Sequence, residues 1–113
     1  MTKVLVTGAN GFVGGALIGR LLALPGVSLR ASVRSSNIEL APAIERWVTG
    51  DLSAATRWGE ALAGVAVVIH LAARVHVLRD TSTDPLAAYR QTNVEGTLAL
   101  AQQAIDAGVR RFI

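Results

Sequence analysis

Hydrophobic residues along this 113-residue chain fall into short runs and helix-spaced stretches that take turns. Val4 to Thr7 is a compact apolar run, read as a first strand. Gly11 to Leu24 then offers Phe12, Val13, Ala16, Leu17, Leu21 and Leu24 for packing along a helix, and Pro25-Gly26 stops it. Val27 to Val33 alternates, with Val27, Leu29, Ala31 and Val33 on one side, which predicts a half-covered second strand ended by Ser35-Ser36-Asn37. Glu45 to Thr49 predicts a short third strand before Gly50-Asp51. Ser53 is placed to cap a short helix reaching Ala63. Val65 to Leu71 is the most apolar run and predicts a central strand. Residues 74–83 are polar and predict a loop. Asp84-Pro85 supplies an N-cap and a first-turn proline for a helix running to Ala107, with Gly108 as its stop. Val109 to Ile113 begins a fifth strand.

Strands alternating with helices predict a doubly wound parallel α/β sheet of the Rossmann type, joined by right-handed crossovers. The expected strand order is 3-2-1-4-5, cut at the fifth strand, with a ligand at the switch point beside the first strand. No internal repeat, low-complexity tract or linker divides residues 1–113, so a single domain is expected.

Composition sharpens this picture. The chain is 51% hydrophobic and only 4% aromatic, which predicts an aliphatic core. Net charge is +3, and every cation except Lys3 is an arginine. The arginines are dispersed, with only Arg110-Arg111 adjacent, so nucleic-acid binding has little support and a bound anion explains some of the cations better. There is no cysteine, which excludes disulfides, thiolate metal sites and a cysteine nucleophile and fits a reducing compartment. No apolar stretch is long enough to span a membrane, and the N-terminus lacks a charged segment followed by an apolar one. These features predict a cytoplasmic protein with no membrane partner and no metal site.

The richest local pattern is Thr7-Gly8-Ala9-Asn10-Gly11-Phe12-Val13-Gly14, between the first strand and the first helix. Gly8 lets the chain turn off the strand. Gly11 leaves backbone bare where phosphate oxygens approach, and Gly14 lets the helix lie close on the sheet. A strand, a glycine turn and a helix N-terminus form a cradle for a dinucleotide diphosphate. The competing reading is a glycine turn that binds nothing.

Four motifs in order carry a resemblance: TGANGFVG at 7–14, GDL at 50–52, HLAA at 70–73 and TNVEGT at 92–97. The chain resembles the N-terminal portion of the extended short-chain dehydrogenase/reductase superfamily, the NAD(P)-dependent nucleotide-sugar epimerases, dehydratases and reductases. The resemblance implies that Gly8, Asn10, Gly11, Phe12, Val13 and Gly14 line the diphosphate. It puts Asp51 and Leu52 against adenine, with the carboxylate accepting from the exocyclic amine, and Leu71, Ala72 and Ala73 under the ribose and nicotinamide side. Asp51 also reads as a plain turn residue, and His70 reads better as a satisfied structural group. Asn93 shares a helical face with Leu86, Tyr89, Thr97 and Leu100. The resemblance gives it a supporting catalytic role, ordering the site and its water. The alternative is an amide that ties the helix to a backbone carbonyl. Gly96 on the same helix permits close helix–sheet approach.

NAD-binding members place an acidic residue at the end of the second strand for the ribose 2′-hydroxyl. Here Val33-Arg34-Ser35-Ser36 stands there, with no carboxylate before Glu39. Arg34 and Ser35 suit a 2′-phosphate, so NADP is preferred over NAD. The family's Tyr-x-x-x-Lys pair is missing: Tyr89 is followed four residues later by Asn93, and the sole lysine is Lys3. The expectation is the cofactor-binding part of a longer enzyme that transfers hydride to or from a nucleotide-sugar carbon, inactive by itself and prone to self-association. The alternative is a non-catalytic NAD(P)-binding module or sensor.

Overall fold

The computed structural model describes residues 1–75 and 83–113. Most of the loop predicted over 74–83 lies outside the described residues. Five strands form one parallel sheet: β1 (Thr2–Thr7), β2 (Val27–Val33), β3 (Glu45–Val48), β4 (Val65–His70) and β5 (Arg111–Phe112), in the order β3-β2-β1-β4-β5. This is the predicted order. β1 sits between β2 and β4, so the chain leaves it toward one edge and later returns to its other side. A crevice opens at the carboxyl ends of these three strands, beside that reversal.

Alternation along β1 explains why both sheet faces are covered. Val4 and Val6 point to one face and pack with Leu29, Ala31, Ile44 and Ile18 of α1 (Phe12–Leu22). Leu5 points to the other and joins Leu52, Trp58, Leu62, Val68, Leu100 and Ala104. The aliphatic core expected from composition needs correction there, because Trp58 is the largest fully buried side chain. One indole fills what several aliphatic side chains would otherwise fill. β2 is also covered more than predicted, with Ser32 buried beside Ala31 and Val33.

The helix predicted from Ser53 to Ala63 forms only in part. Ser53 does cap a turn, its Oγ accepting from the Ala55 amide at 3.1 Å, but regular structure is limited to a 3₁₀ turn, Gly59–Leu62. The Arg30 Nη1 group donates to the carbonyls of Glu60, Ala61 and Ala63 at 3.1, 2.6 and 3.3 Å, which holds these carbonyls in a tight turn. On α1, Ile18 is buried while Phe12 and Val13 are exposed, as is Leu24 just beyond its end, so part of the predicted packing face is turned outward.

The helical stretch after Asp84 begins as predicted, with Asp84 Oδ1 accepting from the Ala87 amide at 3.1 Å and proline at the start of α2 (Pro85–Arg90). It then widens into a π segment, Gln91–Gly96, before resuming as α3 (Thr97–Asp106). Gly108, at φ +83°, ends it.

Candidate functional site

A cleft of about 500 Å³ opens at the carboxyl ends of β1, β2 and β4. Its lining includes Gly8, Asn10, Gly11, Phe12, Val13 and Gly14 from the glycine turn, Arg34 beyond β2, Leu52, and Leu71, Ala72 and Ala73 beyond β4. The sequence missed Ser32, Val33, Thr49 and Val75 on the same walls. Of these, Ser32 carried a usable signal: a polar residue inside an apolar strand, two positions before Arg34. A second hollow of about 340 Å³ shares Arg34, Leu52, Ala72 and Ala73 and adds Asp51, Arg74, Gln91 and Thr92.

The glycine turn owes its shape to missing side chains. Gly8 has φ +65°, and a Cβ there would stand 2.7 Å from the Ala72 amide nitrogen and the Leu71 carbonyl carbon. Both the turn and the approach of β4 therefore require glycine. At Gly14 a Cβ would lie 2.1 Å from the Gly8 carbonyl oxygen, so this glycine brings the helix close to the turn itself, not only to the sheet. α1 begins at N-cap Gly11 without a side-chain cap or an acidic residue in its first turn. Its leading amides and the positive end of its dipole face the cleft, an arrangement suited to an anion.

The wall beyond β4 is held by a polar relay. Thr7 is buried, and its Oγ1 accepts from the amides of Leu71 and Ala72, both at 3.0 Å. Both lone pairs are thus in use, so its hydroxyl proton goes to His70 Nδ1, 2.7 Å away. His70 Nε2–H then donates to Thr97 Oγ1 at 2.9 Å. Burial pushes the imidazole below its ordinary pKa and favours this neutral form. His70 therefore joins β1, β4 and α3 and is the satisfied structural group the sequence indicated.

Asn93 grips the next residues of that wall. Its Oδ1 accepts from the Arg74 amide at 2.8 Å, and its Nδ2 donates to the Arg74 carbonyl at 3.1 Å. The tie to a backbone carbonyl is thus present, reached from inside the π segment. Arg74 in turn lies over the Tyr89 ring, 5.7 Å from its centroid. Arg34 and Asp51 meet across the cleft mouth, Nε to Oδ1 at 3.2 Å, with both side chains highly exposed. Ser35 turns its hydroxyl to Asn37.

A protein-family model described as NAD dependent epimerase/dehydratase family matches residues 4–113. The chain belongs to that family. Among relatives in the epimerase/dehydratase family, a UDP-glucose 4-epimerase from Vibrio cholerae is 40% identical over 112 residues, covering 98% of this chain and 33% of that protein. MoeE5, solved in complex with UDP-glucose and NAD, superposes with a TM-score of 0.76 at 31% identity, covering 97% of this chain and 34% of MoeE5. A double mutant of DesIV, a dTDP-glucose 4,6-dehydratase from Streptomyces venezuelae solved with NAD and DAU bound, gives a TM-score of 0.75 at 31% identity, with 96% and 37% covered. The chain thus spans about a third of the length of these family members. Among the described residues no helix is long and apolar enough to cross a membrane, and no cluster of His, Cys, Asp or Glu could hold a metal ion.

Proposed function

We propose that this chain is the dinucleotide-binding part of an NAD(P)-dependent enzyme that epimerises, dehydrates or reduces a nucleotide sugar. The observation that carries the proposal is the glycine turn itself. A Cβ at Gly8 or Gly14 would collide with backbone, so only glycine lets the turn, the chain beyond β4 and the uncapped start of α1 close up on one another beside the cleft. The family match and the relatives' nicotinamide complexes support the same reading.

When bound, the nicotinamide ring supplies hydride transfer between its C4 and a sugar carbon. The residues of this chain bind and orient. The leading amides of α1 receive the diphosphate. Leu52 provides an apolar floor for adenine, and Asp51 accepts from its amine. Leu71, Ala72 and Ala73 form an apolar wall under the ribose and nicotinamide side, fixed from behind by Thr7 and His70. Asn93 orders the start of the following loop through Arg74. It acts by positioning in this chain, and proton transfer is left to residues elsewhere in the native-length protein.

Arg34 supports a preference for NADP. Its partner Asp51 is an exposed carboxylate, and an exposed ion pair contributes only about 0–1 kcal/mol. A 2′-phosphate, with more charge and a geometry matched to guanidinium, can replace that partner. Titration with NADPH and NADH should show tighter NADPH binding. Arg34→Ala should weaken NADPH about tenfold or more, by loss of a charge-assisted contact of roughly 1.5–3 kcal/mol, and change NADH less than about twofold. Equal losses for both would refute the NADP assignment, and no binding of either by the wild type would refute the dinucleotide reading. A second reading, a module that binds the dinucleotide without catalysis, rests on the same glycine turn. Turnover of UDP- or dTDP-sugars by the native-length protein separates the two.

A further inference from the structure

Gly96 ends the π segment and is buried against the opposite side of the cleft floor. A Cβ added there would lie 3.1 Å from Leu52 Cβ and 3.5 Å from the Leu52 carbonyl carbon. Ordinary carbon–carbon contact is about 3.5–4.0 Å, so something must move by several tenths of an ångström. Which side moves can be argued from what holds each.

The helix is held at two points on either side of Gly96. Asn93 makes two hydrogen bonds to the backbone of Arg74, and Thr97 receives His70 Nε2–H. Leu52 belongs to no regular element and follows Gly50, where the chain turns with φ +69°. The side chain reaches both hollows of the cleft, so displacement away from the helix carries it into the space between Arg34, Asp51 and Ala72. Leu52 is also nearly fully buried, at 6% exposure, so its side chain has little room to rotate aside.

From this geometry we infer that Gly96 is a positioning residue for the adenine end of the cofactor, setting the height of the Leu52 floor from behind. The inference rests on the dinucleotide reading above, and it assigns a role in ligand binding to a helix glycine that touches no ligand. The π turn is part of the device, because it presents Asn93 to the Arg74 backbone and Gly96 to Leu52, with Thr97 bonded to His70 just beyond it.

The test uses the native-length protein titrated with NADPH and with reduced nicotinamide mononucleotide, which lacks the adenine half. Gly96→Ala should weaken NADPH about tenfold and the mononucleotide less than about twofold. Adding Leu52→Ala to Gly96→Ala removes the obstructing side chain and should bring NADPH affinity back to that of Leu52→Ala alone, within about threefold. Unchanged NADPH binding in Gly96→Ala, equal weakening of both nucleotides, or a double variant as weak as Gly96→Ala would overturn the inference. Should Gly96→Ala fail to fold, the double variant decides: recovery of folding and NADPH binding supports the inference, and continued failure overturns it. A wild-type protein that binds neither nucleotide overturns the dinucleotide reading instead.

Discussion

Thr7 shows how one hydroxyl can shape a binding wall without touching what binds there. Its Oγ1 satisfies the amides of Leu71 and Ala72, which stand at the turn off β4. The Leu71 amide has a second acceptor in the Thr7 carbonyl at 3.3 Å. In Thr7→Val the shape of the side chain is kept and the acceptor is lost, leaving the Ala72 amide without it. An unsatisfied buried donor costs about 1–3 kcal/mol, so the melting temperature should fall by roughly 5–15 °C for a domain of this size. Thr7→Ser keeps the oxygen and should recover most of the loss. Equal melting of Val and wild type would show that the relay carries no weight. None of this could be read from sequence, where Thr7 was the last residue of a strand. The partner amides lie far along the chain and arrive only when β4 pairs with β1. His70 and Asn93 were partly legible, because a buried polar side chain must find partners wherever it lies. The identity of those partners, Thr97 and the Arg74 backbone, needed the fold.

At the scale of elements, His70 is the joint between the sheet and α3. Its neutral form is the one that fits, since Thr7 has no further lone pair to offer a second N–H. Burial lowers its folded-state pKa below the ordinary value of about 6.5. The unfolded chain therefore binds the proton more readily, and stability rises with pH across this window. The contribution is fully present above pH about 6.5 and is lost as pH falls toward the lower folded value. Melting curves from pH 7.5 down to 5 should show wild type losing stability, with a shallower slope for His70→Gln; parallel slopes would contradict the assignment. Glu45 titrates lower, its carboxyl held down first by Arg30 and then by Lys3, so its window lies apart. Element boundaries were mostly legible because glycine, proline and caps mark them: β2 matches its predicted span, and Gly108 closes α3. The π segment was not. It packs against distant parts of the chain, Asn93 on the Arg74 backbone and Gly96 on Leu52, and no local propensity records those contacts. The shortfall at 53–63 has a similar origin, because Arg30 draws three carbonyls into a tight turn.

For the whole molecule, strand–helix alternation and right-handed crossovers leave few topologies open, and the reversal at β1 follows from them. That is why the location of the cleft could be anticipated from sequence while its rear support could not. Eleven of the lining residues were expected from sequence, ten through the motifs and Arg34 through its place after β2, and they come from four separate stretches of chain. Trp58 marks the limit of composition as a guide: a chain 4% aromatic still builds one face of its core around an indole. Exposed Leu86, Val94, Leu98 and Ile105 lie along the helical stretch from α2 to α3. All of the functional reading depends on what the glycine turn holds. Crystals of the native-length protein soaked with NADPH test this most directly. The diphosphate should lie within about 2.7–3.2 Å of backbone amides at the start of α1, between Gly11 and Gly14. Diphosphate density at any other place, or an empty cleft in crystals whose solvent channels reach it, would contradict the account.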